Sequence, residues 1–246
     1  MAKIIDVRTL PLAANVCEQV LREVESVEKW SMAHVVMNPF ASSLAHKHKK
    51  MVEIYIITRG CGELLVGDEL HSVTAGSVFE IPAGIPHTLK NKGGGQLEHL
   101  VLAFPPFQPD DVILLEDEKL TCAPGAAIPL SLPEETECFD GARILPYAFP
   151  QLDLSVAFGR VVNDPARHKE PHFHKKITEF MFVVEGHGLI KLNGASEEIR
   201  AGNWIRIEPG VEHGLVNESF EDLVAVCICC APAFDMGDVH YRAITD

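Results

Sequence analysis

Basic residues are scarce in this chain of 246 residues: 21 Lys and Arg stand against 35 Asp and Glu, a formal charge of −14. That balance excludes the cationic footprint needed for nucleic acid and the polybasic patch that draws a protein to anionic lipid. No segment reads as a DNA-reading helix-turn-helix. Long apolar runs are lacking too. The longest, Val224 to Phe234, falls well short of the roughly 20 residues that cross a bilayer as a helix. The opening residues, MAKIIDVRTLPLAAN, hold no continuous apolar core followed by a cleavage site, so a cytoplasmic location is expected. Cysteines number seven, an odd count. Cys227 and Cys230 have CxxC spacing, but no second pair exists to complete a zinc knuckle. With Cys229 they are expected to behave as small buried hydrophobes in a reducing compartment.

What the chain does contain is a repeat. His46, His48, Glu53 and His87 recur as His172, His174, Glu179 and His213, each 126 positions on. Gly60, Gly76 and Asn91 recur at the same offset as Gly186, Gly202 and Asn217. An internal duplication of this length implies two domains, each long enough to bury its own core. The expected division is a first domain over 1–106, a connection over 107–145 and a second domain over 146–246. The connection is rich in Pro, Asp and Glu and has no clear periodicity. It is expected to run over the surface, with a lid over one pocket mouth as the functional alternative.

Within each half the pattern is β. Trp30 to Met37 and its counterpart LSVAFGRVV read as strands ending at Asn38-Pro39 and Asp164-Pro165. EIYIIT and EFMFVV are β-branched and aromatic runs that end at glycines suited to tight antiparallel turns. Further turn signals fall at Val66-Gly67-Asp68 and Leu192-Asn193-Gly194. Residues 13–28 place valines at helical spacing, yet the same valines would serve an edge strand. Many short strands between turn residues indicate an all-β sandwich or barrel.

In HxH on a strand the two histidines share a face, so His46 and His48 point inward together. The odd separation from His48 to Glu53 requires a turn at Lys49-Lys50-Met51, and the rigid run Pro82 to Pro86 delivers His87 from another strand. Three imidazoles and one carboxylate form a mixed N/O site suited to a divalent transition metal, Fe, Mn, Ni, Cu or Zn, with open positions for substrate, water or dioxygen. One such metal is expected per barrel, held by His46, His48, Glu53 and His87 in the first and by His172, His174, Glu179 and His213 in the second. Counting in twos from these ligands predicts Leu44, Tyr55, Ile57 and Leu89 as inward residues of the first barrel. It predicts Met181, Val183 and Leu215 in the second, with His168 and Glu170 at the mouth. Tyr55, Leu89, Met181 and Leu215 are the substrate-pocket candidates, and Tyr55 could donate a hydrogen bond or a proton. Glu80 and Arg206 occupy equivalent positions with opposite charge, a hint that the two sites differ.

HxHxxxxE, then six residues and a glycine, followed by G(x5)PxGxxH(x3)N, resembles the two signature motifs of the cupin superfamily. The first copy carries them at His46, His48, Glu53, Gly60, Gly76, Pro82, Gly84, His87 and Asn91. The second carries them at His172, His174, Glu179, Gly186, Gly202, Gly210, His213 and Asn217. Two positions depart from the pattern: Glu208 replaces the proline, and the glycine six residues before the first histidine is Phe40 in one copy and Ala166 in the other. The resemblance implies a bicupin, an all-β chain of two tandem jelly-roll barrels, each with a metal pocket. The first functional expectation is a metal-dependent enzyme with dioxygenase chemistry on a small chelating organic substrate. The alternatives are a redox-silent Lewis-acid isomerase, decarboxylase or hydrolase of an oxo or hydroxy acid, and a non-catalytic small-molecule-binding metalloprotein. A monomer and a homodimer are equally compatible with paired barrels in one chain.

Overall fold

The computed structural model describes residues 2–15, 19–115, 128–129, 133–164 and 170–242. Among these the chain is almost entirely β, and its only helical elements are short 3-10 turns. It divides into two compact units, Leu10–Leu132 and Met1–Thr9 with Pro133–Asp246.

The first unit is built from two antiparallel sheets. One runs in the order Ile128–Pro129, Val78–Ile81, Val52–Arg59, Leu97–Phe104, Ser31–Met37, Val20–Ser26. The other runs Val112–Leu114, His46–His48, His87–Asn91, Cys61–Val66, Glu69–Thr74. Alternation along these strands sends Val35, Tyr55, Ile57 and Leu97 from the first sheet against Leu64, Val66 and Leu89 from the second. This is the interior of a jelly-roll barrel, and fully burying one such aliphatic side chain contributes about 1.5–3 kcal/mol. The second unit repeats the plan. Its larger sheet runs Ala2–Asp6, Asn203–Ile207, Glu179–Glu185, Leu223–Cys230, Leu154–Val161, Arg143–Phe149, Thr136–Glu137, and its smaller one Ala195–Arg200, His187–Leu192, His213–Val216. Met181, Val183, Ile190, Ile205 and Leu223 fill its interior.

The turn signals act as their residue types require. Asn193 and Gly194, both with positive φ (49° and 85°), join His187–Leu192 to Ala195–Arg200. Such a two-residue turn matches the twist of paired strands and favours Asn-Gly. Replacing the motif's proline by Glu208 leaves its turn intact. Val211 N–H donates to the Glu208 carbonyl at 3.1 Å as Ile85 N–H does to Pro82 at 3.3 Å, and Gly210 and Gly84 share φ near 81° and 82°. Phe40, where the motif has glycine, sits at φ 64° with its ring exposed. Ala166, the same position in the second copy, lies outside the described residues.

Two expectations change, and one left open is resolved. The first nine residues belong to the second unit, because Ala2–Asp6 pairs with Asn203–Ile207 and places Ile4 opposite Ile205. The valine-rich segment takes the strand form: Val20–Ser26 pairs with Ser31–Met37 at the edge of its sheet. The connection is not simply draped over the surface. It begins with Val112–Leu114 paired to the HxH strand, and Ile128–Pro129 pairs with Val78–Ile81.

Candidate metal centres

Strand pairing assembles the first site. His46–His48 lies between Val112–Leu114 and His87–Asn91, with His46 directly opposite His87. The turn at residues 49–51 then reverses the chain, and Glu53 enters on Val52–Arg59. One oxygen or nitrogen from each of His46, His48, Glu53 and His87 falls within 4.8 Å of all the others, and so do those of His172, His174, Glu179 and His213. All eight residues are buried.

Backbone carbonyls set the imidazole tautomers. His46 Nδ1–H donates to Leu44 at 2.9 Å and His87 Nδ1–H to Ile85 at 3.0 Å, which turns both Nε2 lone pairs inward. In the second site His174 Nδ1–H donates to Asp238 at 3.0 Å and His213 Nδ1–H to Val211 at 2.9 Å. Each site therefore anchors two of its three rings, but not the same two. Glu53 Oε2 lies 3.1 Å from His48 Nε2 and 2.9 Å from His87 Nε2, yet none of these three atoms makes a hydrogen bond of proper geometry. Buried polar atoms left without partners are costly, and a cation at their common focus would satisfy them all at once. In the second site His213 Nε2 does bond Glu179 at 3.0 Å, while His174 Nε2 has no partner. The donor set fits a divalent transition metal, whose role when bound is to polarise a chelating oxygen or, if redox-active, to handle dioxygen.

The electrostatics suit cation capture. Burial, then the charge of His87, lowers the pKa of His46 to about 4, and burial with His213 beside it lowers that of His172 to about 3. Burial opposes ionisation of Glu53 and Glu179, but the imidazoles beside them outweigh it and hold both well below the usual carboxylate range. His46 and His172 thus present neutral imidazole lone pairs beside an ionised carboxylate near neutral pH, the protonation state that metals require, whereas at His213 the Glu179 carboxylate outweighs burial and raises the pKa.

Three ligands of each set line a largely apolar cavity, His46, His48 and Glu53 one of about 300 Å³ in the first barrel and His172, Glu179 and His213 one of about 480 Å³ in the second. Tyr55 lines the first, with its ring edge-on to His87 at 5.9 Å between centroids. Leu89 packs in the barrel interior instead of on the described cavity wall. Met181 and Leu215 both line the second cavity. Leu44 turns outward and is 38% exposed, because its strand begins only at His46 and the alternation does not extend back to it. Ser43 is buried there, its hydroxyl accepting from Leu89 N–H. Glu170 is exposed, and His168 lies outside the described residues. Neither Glu80 nor Arg206 is among the described lining of a cavity; Arg206 bonds Glu208 at 2.8 Å and lies over the Phe180 ring.

Two groups of functional weight were not found by sequence reasoning. Asp111 and Asp238 hold the turns between HxH and the glutamate, accepting from the N–H groups of Lys50 and Met51 and of Lys175, Lys176 and Ile177. Both are followed by valine, and their offset is 127, one more than that of the ligands. The second group is a set of thiols. Cys227 and Cys229 line the second cavity with Cys138, and Cys229 sits directly across from Glu179. Counting in twos along Leu223–Cys230 reveals them, and it puts Cys230 on the opposite face from Cys227. Burial pushes the Cys138 thiol up to about 11 and raises those of Cys227 and Cys229 well above the ordinary thiol range.

The cupin domain pattern matches residues 33–103 and 159–229, which span both ligand sets and more than half of the chain. The chain belongs to the cupin family. An uncharacterized protein of Methanocaldococcus jannaschii is 33% identical over 88 residues, covering 36% of this cupin and 70% of that protein. Among solved structures, vicilin from Capsicum annuum superposes with a TM-score of 0.70 at 14% identity, covering 92% of this cupin and 85% of that chain. Oxalate decarboxylase from Bacillus subtilis gives 0.66 at 15%, over 94% and 77%. The formate complex of the Lactobacillus farciminis oxalate decarboxylase gives 0.66 at 17%, over 93% and 86%. At these identities the likeness is one of fold, and the fold is that of a bicupin.

Proposed function

We propose that this bicupin is a metal-dependent enzyme acting on a small organic substrate that chelates the metal through oxygen, with dioxygenase cleavage as the chemistry to test first. The observation that carries this reading is the placement of three ligands of each His₃Glu set in the wall of an apolar cavity large enough for a small molecule. A site closed for structural purposes would surround its ligands with protein. The residues at hand bind and orient: the imidazoles and glutamate fix the chelating end, and the apolar walls exclude water from the remainder. In dioxygenase cleavage, both atoms of dioxygen would enter the product as a carbon–carbon bond breaks.

A second reading, Lewis-acid decarboxylation or isomerisation without dioxygen, is favoured by Asp140 in the second cavity, a carboxyl group able to return a proton to carbon. On either reading the partner is a small molecule, not nucleic acid or membrane, and the chain works in the cytoplasm as a monomer or homodimer. Elemental analysis of protein purified without chelators, as wild type, His87→Ala and His213→Ala, tests the foundation. Two metals per chain, falling by one in each variant, are expected. Oxygen uptake with aromatic diols or β-dicarbonyls would then support the first chemistry. Product formation from an oxo acid without oxygen uptake would support the second. Wild type that holds no metal and takes none up would overturn both.

A further inference from the structure

The second cavity carries a carboxyl group at a position where the first has none, although Glu23 lines the first from a different element. The tight turn 138–142 is closed by Cys138 N–H donating to Ala142 at 2.7 Å and Gly141 N–H donating to Cys138 at 3.0 Å, with Gly141 at φ 85°. Phe139 on this turn packs edge-on against the His172 ring at 4.8 Å and stacks on Phe234 at 6.0 Å. Pinned in this way, the turn brings Asp140 into the wall of the cavity that holds His172, Glu179 and His213. Asp140 Oδ1 accepts from Ala142 N–H at 3.0 Å, and the Cys138 thiol lies beside the carboxyl. Burial first, and then the charge of Glu179, raises the pKa of Asp140. The residue 126 positions earlier is Ala14, which lines the first cavity and carries no charge. Among the described residues lining the second cavity there is no Lys or Arg.

We propose that Asp140 sets the charge limit of the C-terminal pocket, admitting neutral or singly charged oxygen chelators and turning away dianions such as dicarboxylates. A dianion such as oxalate brings a second charge into a pocket whose described wall already holds two carboxyl groups and no Lys or Arg to meet it. Like charges in a partly desolvated site repel strongly enough to cost a factor of about ten or more in affinity. A neutral β-dicarbonyl meets no such penalty. Asp140 on this view is a specificity-determining residue, and the inference rests on the reading of the site as a metal pocket for a chelating substrate.

The test uses the metal-loaded full chain carrying His87→Ala, so that only the C-terminal pocket reports. Binding of acetylacetone and of oxalate is measured by calorimetry at neutral pH. The acetylacetone complex is expected to be the tighter. Asp140→Asn and Asp140→Ser are expected to strengthen oxalate binding about tenfold or more while moving acetylacetone less than about threefold. Asp140→Glu, which keeps the charge, is expected to retain the original preference. Having two neutral variants guards against one that misfolds, and equal metal content checks each. Oxalate binding that is already the tighter before substitution, or that is unmoved by both neutral variants, overturns the role of Asp140 while leaving the chelation reading standing. Binding of both ligands that survives addition of His213→Ala overturns the chelation reading itself.

Discussion

Removing the Asp238 side chain should cost the second barrel more than removing Asp111 costs the first. The Asp238 carboxylate accepts from three consecutive backbone N–H groups, Lys175 at 3.1 Å, Lys176 at 2.9 Å and Ile177 at 3.2 Å. Asp111 accepts from two, Lys50 at 3.1 Å and Met51 at 3.1 Å. Hydrogen bonds to a charged acceptor contribute about 1.5–3 kcal/mol each, but neighbouring bonds are not additive and water reaches part of the turn. Alanine is therefore expected to cost about 3–4 kcal/mol at Asp238 and about 2 kcal/mol at Asp111. The turn that carries Asp238 also supplies the carbonyl that holds His174 Nδ1. Loss of such an outer partner typically weakens metal binding about 10–100-fold. His48 Nδ1 stands 3.7 Å from the Asp111 carboxylate, too far for an equivalent bond, so Asp111→Ala should disturb metal affinity less. The chain has two tryptophans, and each barrel buries one, Trp30 in the first and Trp204 in the second. Urea unfolding of Trp30→Phe and Trp204→Phe backgrounds therefore follows the barrels one at a time. Asp111→Ala costing as much as Asp238→Ala, or neither exceeding about 0.5 kcal/mol, would refute the reasoning.

Two further expectations concern the first barrel. His99 is fully buried, with both ring nitrogens lacking hydrogen-bond partners, and burial with His34 nearby lowers its pKa to about 3. The unfolded chain then takes up a proton below about pH 6.5 that the folded chain refuses, so stability falls as pH falls through that window. Between pH 7 and 5 wild type is expected to lose about 2 kcal/mol more than His99→Leu, and parallel pH profiles would show that this histidine is not responsible. Phe40 holds a left-handed backbone with an exposed ring, so Phe40→Gly should stabilise by about 0.5–1 kcal/mol while Phe40→Ala gains nothing, measured by urea midpoint. A destabilising glycine there would mean that the ring makes contacts worth more than the backbone strain.

The ligands were legible because two constraints coincide at them. Strand periodicity fixed the shared face of His46 and His48, and duplication repeated the set in register. Turn chemistry was legible at Asn193-Gly194, where both residues adopt positive φ. Alternation failed at Leu44, since period two holds only while the backbone is paired and the strand starts at His46. Asp111 and Asp238 were hidden because they reach their turns from about 60 residues downstream, and no local pattern records a contact of that separation. Cys229 and Cys230 are buried as expected, but the cavity-lining position of Cys227 and Cys229 was hidden for a related reason. CICC reads as buried core, and only the pairing of Cys229 with Glu179 shows that the face they share with Cys227 is the wall of a cavity.

The strand Ala2–Asp6 has a bearing on how the molecule can be divided. Residues 1–9 complete the sheet that begins again at Pro133, while the whole first barrel, Leu10–Leu132, is strung between them. No single scission can release the C-terminal barrel whole. A fragment beginning at Pro133 would leave Asn203–Ile207 as a bare sheet edge carrying Ile205 and Ile207, the kind of edge that templates aggregation. Rejoining the first nine residues after Asp246 by circular permutation would restore that edge within one continuous piece. An ancestral half-protein of the kind the duplication implies would face the same difficulty, needing a border strand from a second copy. Two copies exchanging that strand, later fused head to tail, would leave the interleaved order seen in this chain.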